Sequence, residues 1–136
     1  MSAGNMRKGR NPWKKLMSNV KLSAQGRRGA PTQLRPREVS ITEKDLCDQF
    51  NKQNGKCYWF DLDINPYDIF KSRYPLAMSV DRLDNEKGYV VGNIVICTRF
   101  ANLGRGSSST ADMYEAVNYI RNSTSSAATF FTYVGR

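Results

Sequence analysis

Two stretches of the chain carry apolar residues at the spacing of an α-helix. The first, over residues 43–54, follows Thr42, a residue type favoured as an N-cap, and stops at Gly55. Its apolar face consists of Leu46, Cys47 and Phe50. The second predicts a helix over residues 111–122. Its apolar side consists of Met113, Ala116, Val117 and Ile120.

Shorter apolar runs between these two helices predict a β-hairpin. Residues 77–83 are expected to form the first strand and residues 89–97 the second. The polar residues 84–88 between them have the composition of a turn. Gly92 and Asn93 predict a tight bend within the second strand.

Four further segments complete the prediction for the folded region. A short helix is expected over 98–103, with Thr98 as its cap. The aromatic segment 56–60 predicts a strand or a strand-like turn, and a helical turn is expected at 66–72. The aromatic tail 127–134 is predicted either to add a strand or to dock on the core as an extended clamp.

Residues 1–38 are predicted to form an arm and linker, because glycine and proline recur along them. These breakers are Gly4, Gly9, Pro12, Gly26, Gly29, Pro31 and Pro36. A short helix around 13–22 is compatible with the spacing of its apolar residues. Those residues are Trp13, Leu16, Met17 and Val20. The whole chain of 136 residues is sized for one domain.

The net charge of +9 lies entirely in this N-terminal segment. Ten Lys or Arg and a single acid, Glu38, fall within residues 1–38, whereas residues 39–136 carry equal numbers of bases and acids. Such a segment predicts a polyanionic partner, most often nucleic acid, and Trp13 among the bases favours this over a merely solvated tail. An organelle transit peptide is the less favoured interpretation of the acid-free first residues.

The cysteine and histidine counts limit which cellular compartment and which kinds of metal site are expected. The chain has 3 Cys, no Cys-x-x-Cys pair and no His. This predicts reduced thiols in a cytoplasmic protein and argues against a disulfide framework and a structural zinc site. No stretch has the length of a membrane span or the apolar core of a signal peptide. We therefore expect neither secretion nor a membrane partner.

The candidate chemistry lies in residues 78–102, which read as strand, loop, strand and helix. Asp81 and Arg82 end the first strand, and Asn102 lies in the helix. A hairpin that folds back onto the following helix would bring Asp81 and Asn102 together. A carboxylate and an amide oxygen are hard ligands that suit Mg²⁺ or Mn²⁺. Each residue alone is equally compatible with an ordinary turn or cap, so the prediction depends on the ordered set.

This segment resembles the strand–loop–strand–helix motif of HNH endonucleases, also called ββα-metal or His-Me finger nucleases, and in particular their small bacteriophage members. The run Ser-Val-Asp-Arg-Leu-Asp-Asn-x-x-Gly-Tyr-x-x-x-Asn at 79–93 and the lead-in Gln-Asn-Gly-Lys-Cys at 53–57 carry the resemblance, which covers about 43–106. It implies an α+β fold with flanking helices and an extended basic N-terminal arm. The expected units are a basic arm over 1–38, a nuclease core over 39–106, and a C-terminal helix and aromatic tail over 107–136.

The resemblance also implies roles for individual residues. Asp81 and Asn102 would be the ligands of a single metal ion, Mg²⁺ first and Mn²⁺ second. Asn93 would brace the loop between the strands. The implied catalytic set is Asp81, Arg82, Asn93 and Asn102. The implied partner is DNA, whose phosphodiester bond the metal would help to hydrolyse.

The chain departs from the family at one position, where a His usually follows the Asp and acts as general base. Arg82 stands there, and arginine stays protonated at any usable pH. Three accounts fit. Arg82 binds the scissile phosphate while a metal-activated water attacks, aided by a carboxylate such as Asp84; or an unplaced Tyr or Lys is the base; or the site binds DNA without cutting it. The first is favoured.

The leading hypothesis is therefore a metal-dependent DNA endonuclease, with phage homing and nicking enzymes as the expected types. Its phosphate contacts would come from basic residues of the arm and of the helix after the hairpin. These are Arg7, Lys8, Arg10, Lys14, Lys15, Arg27, Arg28, Arg99 and Arg105. The first alternative is an inactive DNA-binding or virion-associated protein on the same scaffold. The second is a basic RNA-binding protein.

Overall fold

A computed structural model describes residues 10–26 and 36–134, with side chains described as far as residue 123. Within these residues the fold is α+β, with four α-helices, a short 3₁₀ helix and a two-stranded antiparallel sheet. In chain order the elements are α1 (Pro12–Gln25), α2 (Glu43–Lys52), the 3₁₀ helix (Pro66–Phe70), β1 (Met78–Arg82), β2 (Ile94–Thr98), α3 (Arg99–Arg105) and α4 (Thr110–Val134).

The predicted hairpin is present, and its second strand is shorter than expected. Met78 pairs with Thr98 and Arg82 with Ile94, and every residue of β2 is buried. The second strand begins at Ile94 and not at Tyr89, because Tyr89 forms an isolated parallel bridge with Val39 of the preceding segment. This central hairpin supports α3 directly, since α3 starts at the residue after β2.

The helix predicted over 43–54 is confirmed as α2, which ends at Lys52. Its N-terminus is a capping box: the Asp45 N–H donates to Thr42 Oγ1 at 3.2 Å, and the Thr42 N–H donates to the Asp45 carboxylate at 2.8 Å. The helical turn predicted at 66–72 is confirmed as the 3₁₀ helix. Of the strand or strand-like turn predicted over 56–60, the turn is present: Lys56 forms an isolated bridge with Asp63, and the chain reverses with the Asp61 N–H donating to the Cys57 carbonyl at 2.8 Å.

The prediction of an arm and linker is wrong for residues 12–25, which form α1, whereas the short helix that the apolar spacing allowed around 13–22 is confirmed. Asn11 caps this helix by accepting hydrogen bonds from the N–H groups of Trp13 and Lys14 at 2.9 and 3.2 Å. Pro12 stands at the first helical position, where its missing N–H costs nothing. The helix buries one face in the core, at Leu16, Met17, Val20 and Ala24. Residues 1–9 and 27–35 of the predicted arm lie outside the described residues.

The core is continuous from α1 through the hairpin to α4. α1 packs on α2, on the 3₁₀ helix and on β1, while α3 packs on both strands. Trp13 lies edge-on against Phe50 of α2, with ring centroids 5.2 Å apart, so this indole contributes to packing. Leu46, Ile96 and Cys97 at the centre are fully buried.

The C-terminal part is helical throughout. α3 has the predicted cap, with Thr98 Oγ1 accepting from the Ala101 N–H at 3.1 Å. α4 runs from Thr110 to Val134, so the strand or extended clamp predicted over 127–134 is wrong, and the predicted helix over 111–122 is confirmed and extended. Of its predicted apolar side, Met113 and Val117 are buried. No helix within the described residues is long and apolar enough to cross a membrane.

The three thiols differ in exposure, which gives a first prediction. Cys57 and Cys97 are buried, whereas Cys47 is half-buried. Burial, with the nearby Asp81 carboxylate adding to it, raises the pKa of the Cys97 thiol well above its ordinary value. Since the thiolate is the reactive form, we expect Ellman's reagent to modify one thiol rapidly in the native protein and all three in guanidinium chloride. Rapid modification of two or three thiols in the native protein would contradict this.

Candidate active site

Asp81 and Asn102 line the same cleft. Asp81 lies near the end of β1, and Asn102 lies one turn into α3, which packs on β1. The cleft has a volume of about 820 Å³ and is also lined by residues of α1 and of the loop after the 3₁₀ helix. The hairpin and α3 therefore place both residues that the sequence predicted as metal ligands in the lining of one cleft.

Asp81 is held by two side chains from other parts of the fold. Its Oδ2 accepts a hydrogen bond from Trp59 Nε1 at 2.9 Å, and Arg105 Nη1 lies 2.9 Å from Oδ1 and 3.0 Å from Oδ2. The Asp81 residue is 5% exposed, and the Arg105 side chain is 0% exposed. The carboxylate is therefore oriented, ionically paired and shielded from water.

Arg105 was predicted to contact a DNA phosphate, but its guanidinium makes its contacts within the protein. Arg105 lies at the end of α3, and its remaining donors reach backbone carbonyls at the end of β1 and in the connection between α3 and α4. Nη2 donates to Leu83 O at 2.8 Å, Nε to Ser108 O at 3.1 Å, and Nη1 also to Arg82 O. These contacts tie the end of β1 to the start of α4, so a guanidinium predicted to contact a DNA phosphate is instead buried.

Asn102 is anchored through one end of its amide. Nδ2 donates to Ser79 Oγ at 2.8 Å and to the Val80 carbonyl at 3.2 Å. A backbone carbonyl only accepts hydrogen bonds, so the nitrogen of the amide must be the atom that faces Val80. Oδ1 then receives no hydrogen bond from any described residue. Asn102 thus offers the cleft a fixed amide with a free oxygen.

The oxygens at this position match a divalent cation in donor type. A carboxylate has about four lone-pair positions, and three hydrogen bonds occupy those of Asp81, which leaves one on Oδ1. Among the described residues no three His, Cys, Asp or Glu side chains converge. A cation held by Asp81 and Asn102 would therefore take its other ligands from water and substrate phosphate, as Mg²⁺ commonly does. The charge of Arg105 opposes cation binding.

Arg82 is oriented by the loop that follows it. Its Nη1 donates to the carbonyls of Asn85 and Lys87, each at 2.7 Å, and its guanidinium lies 5.4 Å from the centroid of the Tyr89 ring. Nε and Nη2 have no hydrogen-bond partner among the described residues. The half-buried side chain also lines the cleft. Arg82 therefore presents a pre-oriented cation with unused donors.

The loop between the strands is held by Asn93, the position to which the resemblance gives a bracing role. Its Oδ1 accepts from the Asp84 N–H at 2.8 Å, and its Nδ2 donates to the carbonyls of Asp84 and Gly88 at 3.1 and 2.9 Å. The Asp84 carboxylate instead accepts from the Glu86 N–H at 2.9 Å and does not line the cleft. The position of the Asp84 carboxylate therefore does not support the predicted role of activating the water that attacks the phosphate.

The predicted DNA-contacting residues divide into three groups. Arg7, Lys8, Arg27 and Arg28 lie outside the described residues. Lys14 and Lys15 are exposed on α1, and Lys15 lines the cleft together with the half-buried Arg99 of α3. Arg10 stacks on the Phe70 ring, 4.7 Å from its centroid.

Sequence reasoning missed two elements of the cleft. Asn19 on α1 and Arg73 in the loop after the 3₁₀ helix both line it. The spacing of Lys15, Asn19 and Ser23 at four-residue intervals on α1 was a usable signal, because such residues share one helix face. Arg73 had no comparable signal, since its loop reaches the cleft through tertiary packing.

The chain was compared with models of protein families, with curated proteins and with solved structures. No family model matches it, no curated protein matches it, and no solved structure matches it. The geometry of the cleft and the pattern of the sequence are therefore the grounds on which a function can be assigned.

Proposed function

We propose that the chain is a divalent-metal-dependent DNA endonuclease of the HNH type that hydrolyses phosphodiester bonds. One observation carries the proposal. Asp81 and Asn102, distant in sequence, line one cleft on a hairpin followed by a helix, and Arg82 and Arg99 line it with them. Oxygen ligands beside free cationic donors are what a phosphate group and its metal ion require.

Asp81 and Asn102 would hold the cation, Mg²⁺ or Mn²⁺, which when bound stabilises negative charge on the phosphate oxygens. Trp59 and Arg105 fix the rotamer of Asp81, and Ser79 fixes that of Asn102. Such fixed orientation lowers the entropy lost when substrate binds. The chain's own contribution is thus two oriented oxygen donors, one on the hairpin and one on α3.

Arg82 would bind the scissile phosphate and neutralise the charge that grows on it. Its Nη1 donates to two backbone carbonyls, which fixes the orientation of the guanidinium before a phosphate binds. The other donors therefore need little reorganisation to reach the phosphate. Because a guanidinium does not give up its proton, Arg82 acts as an electrostatic group and not as a base. Within the part of the chain that the structure describes, Asp81 is the sole carboxylate that lines the cleft.

Nicking of supercoiled plasmid tests this proposal. We expect conversion to the open-circular form in Mg²⁺ or Mn²⁺ and none in EDTA. Arg82→Gln is expected to slow the cleavage by about 10²–10³-fold, the usual cost of losing one preorganised donor at a developing charge. Arg121→Gln makes the same substitution on the exposed surface of α4 and should leave the rate unchanged. Equal rates for wild type and Arg82→Gln would remove Arg82 from the mechanism.

A DNA-binding protein without nuclease activity is the second candidate, and one observation favours it. The Asp81–Arg105 pair is buried and internally compensated, which is the geometry of a structural ion pair. The absence of His from the chain points the same way. Binding of DNA that is indifferent to Mg²⁺, with no nicking in Mg²⁺, Mn²⁺ or Ni²⁺, would favour this candidate over the nuclease.

A further inference from the structure

The cleft opens between α1 and α3, two helices that both pack on β1. α1 is therefore part of the site as well as part of the core. It lines the cleft with the polar Lys15 and Asn19 and with Leu16 and Val20, which are also buried in the core. The loop after the 3₁₀ helix, at residues 71–73, adds a further side.

The charge of this cleft is strongly positive. Among the described residues, five cationic residues and one acid line it, and the acid, Asp81, is already paired with Arg105. The cationic residues are Lys15, Lys71, Arg73, Arg82 and Arg99. Of these, Lys15, Arg73 and Arg99 make no ion pair with any described residue. Cations on several sides of one cleft favour a ligand with more than one phosphate.

Arg73 combines this charge with an unusual backbone conformation. Its φ is +54°, in the left-handed region that costs a residue with a Cβ about 1–2 kcal/mol. Non-glycine residues in this conformation are concentrated at ligand sites, where the strain fixes a side chain that relaxed backbone would not place. Arg73 is exposed and lines the cleft, so its strained backbone holds a cation at the entrance.

The volume of the cleft limits what can occupy it. About 820 Å³ is the size of a pocket that surrounds a drug-sized molecule, and so one or two nucleotides. The bases of an intact duplex are stacked and paired inside the double helix, so a base can enter this cleft only from an unpaired strand. The cleft also offers apolar surface to a base, since Leu22 lines it and is 62% exposed, whereas the ring of Phe70, which also lines it, is covered by Arg10.

We propose that the cleft binds one unpaired strand of DNA, with Lys15, Arg73 and Arg99 on the phosphates and Leu22 against a base. The inference rests on the proposed nuclease function, because Asp81 and Asn102 lie in the same cleft. It adds a substrate class: single-stranded or strand-separated DNA binds in preference to intact duplex.

Fluorescence anisotropy of the full chain in EDTA tests this, because binding is then read without cleavage. The probes are a labelled single-stranded oligonucleotide, its blunt duplex and the RNA strand of the same sequence, at one salt concentration. We expect the DNA strand to bind about tenfold more tightly than the duplex and at least as tightly as the RNA. Equal or tighter binding of the duplex overturns the proposal, and tighter binding of RNA overturns the assignment to DNA.

Variants at Arg73 locate the effect in the cleft. Arg73→Gln and Arg73→Gly are each expected to weaken strand binding about tenfold and to reduce the slope of log K against log[salt] by about 0.7. The glycine variant keeps the left-handed backbone without strain, which separates loss of the cation from a change in the loop. Lys21→Gln, on the exposed side of α1 and outside the cleft, is the matched control and should change affinity less than twofold.

The results separate this inference from the function on which it rests. Plasmid nicking with no preference for the single strand would leave the nuclease proposal standing and refute the substrate class. Preference for the single strand, lost in both Arg73 variants, supports the cleft assignment even in a protein that fails to nick. Unchanged strand binding in both Arg73 variants refutes that assignment.

Discussion

Replacing Arg105 with methionine is expected to lower the free energy of unfolding by about 3–5 kcal/mol. The substitution leaves the carboxylate of Asp81 buried with the Trp59 N–H as its remaining side-chain partner. It also leaves the Leu83 carbonyl without the guanidinium donor. Domains of this size are stable by roughly 5–15 kcal/mol, so the variant should unfold at a much lower urea concentration. Urea denaturation followed by circular dichroism measures the change.

Two further variants make the result specific to the ion pair. Arg99→Met places the same substitution on a half-buried residue of the same helix and should change stability by about 0.5 kcal/mol or less. The double variant Asp81→Asn with Arg105→Met removes both charges and should recover about half of the loss or more, because the uncompensated charge is the main penalty. A double variant as unstable as the sum of the single variants would show that the pair is not coupled.

Replacing Asn102 with alanine is expected to lower the rate of plasmid nicking by about 100-fold or more. Losing a residue that only supports a metal ligand already costs about 10–100-fold in affinity or activity. The variant loses the free Oδ1 oxygen and keeps Asp81 with all its partners. Two hydrogen bonds to β1 disappear, so stability should fall by only about 1–2 kcal/mol. Asn102 is therefore a cleaner probe of the cation site than Asp81, whose loss would leave Arg105 unpaired.

Nicking rates measured across Mg²⁺ concentrations would separate binding of the cation from later steps. A weakened cation site predicts partial rescue of Asn102→Ala at high Mg²⁺. Asn118→Ala, on the exposed surface of α4, makes the same substitution away from the cleft and should nick at the wild-type rate. Full activity of Asn102→Ala at low Mg²⁺ would show that this amide does not hold the cation.

Local signals in the sequence predicted the elements that carry the site. Thr42 and Thr98 are caps whose preferences act within one helical turn, and both helices start where these residues place them. The pairing of β1 with β2 follows from two apolar runs joined by a polar turn. The relation of Asp81 to Asn102 could be predicted because both lie within this one local motif.

Burial of charged residues could not be predicted in the same way. Arg99 and Arg105 lie at the two ends of one short helix, and both are basic residues beside a candidate phosphate site. Their environments differ because the start of α4 folds over Arg105, a tertiary contact with no pattern in the local sequence.

Gly88 shows the same limit: its residue type is typical of a turn, yet a Cβ there would lie 2.6 Å from the carbonyl oxygen of Glu38.

The prediction of an N-terminal arm was wrong at α1 because the glycine and proline content was given more weight than the helical spacing of the apolar residues. Proline and glycine around residues 1–38 indicated an extended arm, whereas Pro12 begins α1 and Gly26 ends it, positions where both residue types suit a helix. The aromatic residues near the C-terminus favoured a strand by propensity, and the backbone there continues α4. In both segments the structural context overrode the local preference of these residue types.

Truncation is the usual way to ask whether a basic terminus binds a polyanion, and here it would mislead. Removing α1 would delete Leu16, Met17, Val20 and Ala24 from the interior, and each large apolar side chain contributes about 1.5–3 kcal/mol through burial. A shortened chain would lose its affinity through misfolding as readily as through missing cations. Charge-neutralising substitutions on the solvent side of this helix keep the interior intact, so they can separate electrostatic attraction from folding.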